Sequence, residues 1–418
     1  MRLVSAIVLT VVATVPLAAQ APAPKEKAKM YFNVPDYGAK AGGEADCTAA
    51  FQAALDAAGK TGGIVQVPGG RYLIKGHLGV PDNVTIEGTW RAPARSIDTG
   101  SVLLAVEGAG KPDGEPFVTL HTNSTLHGIA VFYPEQVDAN PPKAYPWCVR
   151  GVGDNCSIVD VLLMNPYQAV DFGTSPAGRH YINGLYAQAL YRGIFVDKCF
   201  DIGRIQNVHL WPFWMIGGDS KARQFTLEQG EAFIFGRTDW EYVTNCFCIA
   251  YKVGFRFTQL KDGPGNVVLT QSGSDIGPTA VLVDAVQGHA GVAFTNSQFM
   301  AGVAVKETNG GPVKFNNCGF WPIEDTARMA DLRGGGQVTF NACHFSGWDQ
   351  KGAGEPAIYA DCDGLTVSSC DFMAAGKAQI TLGPNLRAGV IVGNRLRGGA
   401  KIANDSKGDV QIGLNAAQ

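Results

Sequence analysis

The sequence predicts an all-β solenoid, in which short strands stack coil upon coil. One pattern recurs along the second half of the chain: large apolar, small polar, Asn-like, Cys or Ser, any residue, apolar. Its fourth position falls in turn on Cys246, Ser272, Ser297, Cys318, Cys343, Cys370 and Arg395. A repeat of about 25 residues is the signature of a solenoid. The 53 glycines, which follow no collagen period, suit the many tight turns of such a fold.

The repeat extends more loosely into the N-terminal half, around Ile86, Leu126, Ile158, Ile182 and Ile205. The total is about twelve coils, and at ~4.8 Å per coil they form a rod of roughly 50 Å. A second strand follows the first in most coils. Side chains alternate along this second strand, so its apolar residues are expected to point inward. The residues expected to point outward are Asp171, Phe195, Asp197, Arg256, Asp284, Lys306 and Asp361.

Two long excursions interrupt the regular coils, at residues 133–147 and 211–237. Loops that leave a solenoid on one side tend to wall a groove. Both excursions lie in the N-terminal half, so we expect the functional groove there and regard the later coils as scaffold.

The N-terminal residues show the pattern of a targeting segment. Arg2 precedes an apolar run that ends near Leu17, and Ala18-Ala19 offers a cleavage site. The sequence therefore predicts a signal peptide over 1–19, a disordered leader over 20–29, and one elongated domain over 30–418. We expect a secreted or periplasmic protein without a membrane span.

Charge bears on possible binding partners, and cysteine content bears on disulfide formation. The net charge is −3 and no Lys/Arg run occurs, which argues against nucleic acid as a partner. Ten cysteines in an exported chain permit disulfides, either between cysteines stacked on neighbouring coils, ~4.8 Å apart, or within the pairs Cys148/Cys156 and Cys362/Cys370. We favour a ladder of small buried thiols instead, because several cysteines share one repeat position.

A helix and its flanks precede the repeats. Asp46 or Thr48 caps the helix, an apolar stripe follows, and Gly59 ends it. Such an element covers the open end of a solenoid. Residues 32–74 contain a distinctive set of positions: Gly38-Ala39, Asp46, Thr48, Ala50, Gln52, Gly62-Gly63, Val65, Pro68, Gly70 and Tyr72. With these residues the segment resembles the N-terminal module of the pectate-lyase superfamily, which rhamnogalacturonase-like and tailspike-like proteins share.

This resemblance implies a right-handed parallel β-helix with an N-terminal capping helix. Members of the superfamily include lyases, glycosidases, epimerases and phage fibres, so the fold does not settle the function. The catalytic motifs of polygalacturonases and of the first pectate lyases are absent from this sequence. No catalytic residue can therefore be carried over.

Paired carboxylates are the candidates for catalysis. Hydrolysis of a glycosidic bond needs two carboxyl groups, ~5 Å apart for retention and ~6.5–9.5 Å for inversion. Asp171 and Asp197 lie on consecutive coils and are the first candidates, with Asp239 and Glu241 in reserve. Each aspartate alone is equally typical of a solvated strand end.

Aromatic and basic residues nearby are candidates for sugar binding. His209, Trp211 and Trp214 begin the second excursion, where aromatic faces could stack on sugar rings or instead plug the loop. Arg256, Arg192 and His180 are further candidates, and Arg256 between two phenylalanines suits an anion.

These residues favour an exported polysaccharide-active enzyme, most simply a glycoside hydrolase. Acidic candidates outnumber basic ones, and no compact Asp/Glu run suits Ca²⁺, so we expect neither metal nor cofactor. The alternatives are a lyase acting on a uronate polymer, using the basic residues above with Lys198 or Tyr191, and a non-catalytic glycan-binding β-helix, for which a homotrimer stays open. A polymer epimerase is a third alternative.

Overall fold

The computed structural model describes residues 29–94, 96–212 and 217–417. The chain winds into a parallel β-solenoid whose coils contribute to three sheets, and the predicted fold class is confirmed. The first sheet contains fifteen stacked strands, one per coil, whereas the sequence repeat predicted about twelve coils. The three additional strands are Tyr31–Asn33, Gly63–Gln66 and Asp409–Gly413. The predicted signal peptide and all of the leader except Lys29 lie outside the described residues.

The three sheets share most coils, and several long strands bend from one sheet into the next. The first sheet consists of Tyr31–Asn33, Gly63–Gln66, Val84–Glu87, Thr125–His127, Ser157–Met164, Tyr181–Gln188, Arg204–Leu210, Glu241–Ile249, Val267–Thr270, Val292–Thr295, Val313–Asn316, Ala330–Asn341, Ile358–Ser368, Ala388–Val392 and Asp409–Gly413. The second contains the ends of the four strands between 157 and 249 together with Gly42–Asp46, Gly70–Ile74, Ser101–Ala105, Ile129–Phe132, Gly273–Asp275, Gln298–Phe299, Gly319–Phe320, His344–Phe345, Asp371–Phe372, Arg395–Leu396 and Ala416–Ala417. The third contains the starts of Ala330–Asn341 and Ile358–Ser368 together with Leu78–Val80, Val118–Leu120, Trp147–Gly151, Gln168–Phe172, Arg192–Val196, Glu231–Phe235, Val253–Phe257, Thr279–Val283, Gly302–Val305, Ile380–Leu382 and Ile402–Asn404.

The Asn-like position of the repeat is the turn from the first sheet to the second. The residues there have positive φ, for example 54° at Asn245, 52° at Asn296 and 51° at Asn317. Asparagine tolerates this left-handed conformation better than most residues. The amides also bond from coil to coil, with 2.8 Å between Asn317 Nδ2 and Asn296 Oδ1. The corner is therefore fixed both by backbone preference and by side-chain hydrogen bonds.

Stacked apolar side chains fill the interior. Phenylalanine rings at equivalent positions lie face to face, with centroids 5.2 Å apart for Phe294 and Phe315 and 5.1 Å apart for Phe315 and Phe340. All ten cysteines are buried and free. The buried-thiol interpretation is therefore confirmed, and neither of the alternative disulfides forms.

In the part of the chain that the structure describes, two α-helices lie outside the coils. Thr48–Gly59 covers the N-terminal end and buries Phe51, Leu55 and Ala58, as predicted. Its first turn is held by Asp46, whose Oδ1 accepts hydrogen bonds from the Thr48 amide at 3.0 Å and hydroxyl at 2.6 Å. Lys221–Gln229 lies in the second excursion and was not predicted. A 3₁₀ turn spans Val34–Tyr37. Within the described ranges, no helix is long and apolar enough to cross a membrane.

Candidate active site

A cleft of about 230 Å³ opens on the outer face of the third sheet. It is formed by Arg192–Val196, Glu231–Phe235 and Val253–Phe257, whose outward residues Phe195, Ile234 and Arg256 are aligned in register. The alternating pleat brings these side chains to one surface. The lining residues are Arg192, Phe195, Glu231, Ile234, Arg256, Thr258 and Leu260.

Arg256 joins two carboxylates at this cleft. Its Nη1 lies 2.6 Å from Glu231 Oε1, and its Nε lies 2.9 Å from Asp284 Oδ2. Burial alone would lower the pKa of Arg256, but the hydrogen bond to Asp284 and the charge of Glu231 raise it. The sequence predicts Arg256 as an anion contact; in the structure, carboxylates of the protein already compensate its charge.

A row of equivalent positions, each just after the strand of its coil, runs past the cleft, and one member of the row, Thr258, lines it. Asp197, Gly236, Thr258 and Asp284 occupy it on four successive coils, as the amides of the last three show by donating to Val196, Phe235 and Phe257 carbonyls at 2.8 Å. The two aspartates are three coils apart, which places their backbones about 14 Å from each other. Only glycine and threonine stand between them, so a trough separates the two carboxyl groups.

The aspartates at the two ends of this trough differ in environment. Asp197 is 2% exposed, and its Oδ1 accepts a hydrogen bond of 2.6 Å from the Arg237 amide. Burial raises the pKa of Asp197 above its usual value. A side chain at Gly236 would collide with this carboxylate, since a Cβ there would lie 2.5 Å from Oδ1. Asp284 is a quarter exposed and is held by Arg256.

Asp171, the predicted partner of Asp197, is engaged elsewhere. It is fully buried, and its Oδ2 lies 2.5 Å from Arg150 Nε. Its Oδ1 accepts hydrogen bonds from the Gly173 and Thr174 amides at 2.9 and 2.8 Å. Asp171 is aligned with Phe195, two residues before Asp197. The alternation identified its strand position, but neighbouring donors surround its carboxylate, and it does not face Asp197 across the coil boundary.

Glu241 and His180 form a fully buried pair that a glycan cannot reach. Glu241 Oε1 lies 2.9 Å from His180 Nε2, and its Oε2 accepts a 2.9 Å hydrogen bond from Thr238 Oγ1. His180 was expected to bind sugar and Glu241 to serve in catalysis, and complete burial removes both from those roles. Among the described residues, these two and Cys199 are the one group whose ligand atoms lie close enough, within 4.8 Å, to hold a metal ion.

Asp239 and the aromatic candidates lie away from the cleft. Asp239 bonds Arg237 at 2.9 Å and Gln287 at 2.7 Å and lines a separate cavity beside Trp240. His209 is on the second-sheet end of its strand and packs beside Tyr186 and Trp211. Trp214 lies outside the described residues. Of the predicted binding residues, Arg192 and Arg256 line the cleft.

Several contributors were not assigned to the site from the sequence. Phe195 stacks with Trp147 at 6.2 Å and 21° and forms an aromatic wall. Glu231 and Asp284 hold Arg256 from positions 25 and 28 residues away. That spacing is one repeat, so opposite charges separated by one coil are a signal that the sequence does contain.

The comparisons with known proteins agree with this architecture. Residues 31–171 match a family model described as rhamnogalacturonase A/epimerase, pectate lyase-like. The predicted resemblance is confirmed. No curated protein sequence matches this chain.

Several solved structures of low sequence identity share the parallel β-helix fold. The A-module of mannuronan C-5 epimerase AlgE6 from Azotobacter vinelandii is 15% identical with a TM-score of 0.55, over 93% of this chain and 99% of that one. The N-terminal fragment of gene product 12 from bacteriophage Phi29 is 12% identical with a TM-score of 0.60, over 91% and 72%. DFA-IIIase from Arthrobacter chlorophenolicus A6, in complex with GF2, is 12% identical with a TM-score of 0.55, over 86% and 93%. At these identities the likeness shows the fold alone.

Proposed function

We propose that this protein is an exported glycoside hydrolase that cleaves a polysaccharide bound across the third-sheet cleft. One observation carries the proposal: Asp197 and Asp284 stand at the two ends of a trough and have opposite surroundings. Carboxyl pairs whose environments differ in this way are typical of acid and base assignments. The names of two structural neighbours, an epimerase of mannuronan and a DFA-IIIase, agree with a carbohydrate substrate.

Asp197 acts as the general acid in this mechanism. Burial favours its protonated form, and its proton passes to the glycosidic oxygen as the bond to the anomeric carbon breaks. Asp284, whose Oδ2 lies 2.9 Å from Arg256 Nε, accepts a proton from the water that attacks the anomeric carbon. The Asp197 carboxylate lies beside Gly236, one coil nearer to Asp284 than its own backbone, so about two coils, or ~10 Å, separate it from the backbone of Asp284. That distance leaves room for the water, and we expect inversion of configuration.

The walls of the cleft position the sugar. Phe195, backed by Trp147, offers an aromatic face for the apolar side of a ring. Arg192, whose guanidinium lies 4.9 Å from the centre of the Tyr191 ring, also lines the cleft and offers hydrogen-bond donors there. An aromatic face combined with a few polar groups is the usual composition of a sugar site.

The test is a panel of plant, algal and microbial polysaccharides, with reducing ends and ultraviolet absorbance followed together. Hydrolysis releases reducing ends alone, whereas β-elimination also produces an absorbing unsaturated sugar. Asp197→Asn and Asp284→Asn are each expected to lower turnover by about 10²–10⁴-fold. Asp239→Asn is the matched control and should stay within about two-fold, because Asp239 lines a different cavity.

Two outcomes would overturn the proposal. Full activity of both Asp197→Asn and Asp284→Asn would remove the proposed pair. Retention on immobilised glycans without any product would assign the cleft to binding instead of catalysis.

A further inference from the structure

The cavity beside Trp240 has a volume of about 610 Å³ and lies on the turns that lead from the third sheet to the first. Its lining comes from the turns of four successive coils, at residues 200–202, 239–240, 266 and 287–290. Three intervals of ~4.8 Å make it about 14 Å long. Ligand sites in proteins usually measure about 300–1,000 Å³, so this cavity can hold a short run of sugar rings.

Two exposed aromatic rings stand at one end of this cavity. Trp240 is 58% exposed and Phe200 is 55% exposed. They lie on neighbouring coils, as the pairing of the adjacent residues Cys199 and Thr238 shows. Rings of this size usually stabilise a fold by being buried, and apolar groups that gather at the surface mark a site of contact with a partner or ligand.

The backbone of Trp240 adopts a conformation that does not suit its side chain. Its φ is 63°, in the left-handed region that bulky residues rarely occupy. Asn245 and Asn296 adopt the same conformation at the corner between the first and second sheets, and asparagine does so at lower cost. The geometry of the turn therefore does not account for a tryptophan at this position.

Buried side chains hold the two rings in place. Asn266 Oδ1 accepts a hydrogen bond of 3.0 Å from the Trp240 amide, and Asn266 Nδ2 donates one of 2.7 Å to Gln287 Oε1. Both of these amide side chains are buried. The Arg237 guanidinium lies 5.8 Å from the centre of the Phe200 ring. A ligand that binds to rings held in this way loses little free energy in ordering them.

Polar groups accompany the rings. Asp201, whose side chain is about half exposed, and His289, which is exposed, also line the cavity. A carboxylate accepts hydrogen bonds from sugar hydroxyls, and an imidazole both donates and accepts them. Aromatic faces with a few polar groups suit sugar rings. A concave site of this size suits a sugar chain better than a folded protein, which would cover about 800 Å² on each partner.

We propose that this cavity is a second glycan-binding site, in which Trp240 and Phe200 stack on sugar rings. The site is separate from the third-sheet cleft and takes no part in bond cleavage. Phe200 follows Asp197 by three residues, so the two sites lie on adjoining faces of the same coils. A polymer held at the second site stays close to the cleft, which raises its effective concentration there.

Affinity electrophoresis measures this binding without any need for cleavage. The protein is run through native gels that contain xylan, glucomannan, β-glucan, pectin or alginate, and the retardation gives a dissociation constant. Every sample carries Asp197→Asn, so that the polymer in the gel is not digested. At least one of these polymers is expected to retard the protein.

Trp240→Asn separates a binding role from a structural one. Asparagine suits the backbone conformation, so the melting temperature should stay the same or rise. The dissociation constant of the retarding polymer should nevertheless increase roughly five- to thirty-fold, because the aromatic face is gone. Trp240→Tyr keeps such a face and should bind within about three-fold of the parent. The matched control is Tyr31→Ala, which removes an exposed ring at the N-terminal end and should leave binding unchanged.

Several results would overturn the inference. It is wrong if none of the polymers retards the protein, or if Trp240→Asn is retarded as strongly as its parent. It is also wrong if Trp240→Asn turns an oligomer into a monomer in size-exclusion chromatography without a change in retardation, because the rings would then join two copies of the chain. Turnover of soluble polymers tests the proposed function separately. Retardation that depends on Trp240, in a protein that cleaves nothing, would support this inference and reject the proposed function.

Discussion

Replacing His180 with alanine is expected to lower the free energy of unfolding by about 3–5 kcal/mol. His180 Nε2 and Glu241 Oε1 lie 2.9 Å apart and both side chains are fully buried. At an effective dielectric constant of about 20, unit charges at that distance attract by roughly 6 kcal/mol, while desolvation costs several kcal/mol per ion. Removing the imidazole leaves the Glu241 carboxylate with its desolvation cost and without the attraction.

The assay is chemical denaturation of the wild type, His180→Ala, Glu241→Gln and the control His127→Ala. His127 also faces a glutamate, Glu87 at 3.2 Å, but its side chain is 25% exposed, so its loss should cost less than about 1 kcal/mol. Glu241→Gln keeps the shape and should reduce activity only as far as it reduces folded protein. A His180→Ala variant as stable as His127→Ala would refute the reasoning.

The His180–Glu241 pair also determines how the stability of the protein should change with pH. Burial alone would lower the pKa of His180, but the charge of Glu241 and hydrogen bonds with Cys199 and Glu241 raise it well above its usual 6.5. The folded protein then holds a proton that the unfolded chain releases near pH 6.5. The contribution of the pair is complete below that pH and is lost as the pH rises through the higher folded-state value. The difference between wild type and His180→Ala should therefore shrink on the alkaline side.

Three further outcomes are expected. Because burial raises the pKa of Asp197, the folded state binds its proton more tightly than the unfolded chain, and the wild type should lose stability as the pH rises from about 3.8 through the folded value. Asp197→Asn should abolish that loss in thermal melts while it reduces activity. A reducing agent should leave the melting temperature unchanged, since all cysteines are free. Asn317→Ala should cost about 1 kcal/mol and Asn317→Gly less, because φ is 51° there, as equilibrium denaturation would show.

The fold could be read from the sequence because its repeat has a local physical cause. One position per coil must adopt a left-handed turn, and residues such as Asn245 and Asn296 meet that demand. The apolar positions on either side follow from the pleat. Coils without a clear turn residue, such as those at the two ends, could not be counted in this way.

The site was less predictable, because it depends on contacts between coils of unequal length. Alternation identified the side of the coil to which Asp171 and Asp197 belong, but it revealed neither the two-residue offset between them nor the burial of both side chains. Nor did it show that Arg150 forms an ion pair with Asp171, or that Arg256 forms ion pairs with both Glu231 and Asp284. Such partners are fixed by register, which insertions in the turns alter.

Because the coils are evenly spaced, equivalent positions on the third sheet recur every ~4.8 Å along the solenoid. One row of aligned positions, one from each successive coil, consists of Phe195, Ile234, Arg256, Leu282, Ala304 and Asp331. A polymer laid along this face meets equivalent positions only while its own repeat keeps step with that interval. Under the proposed function, a glycan whose rise per sugar differs from that interval drifts out of phase after a few units, so the pitch of the protein backbone would favour some linkages over others.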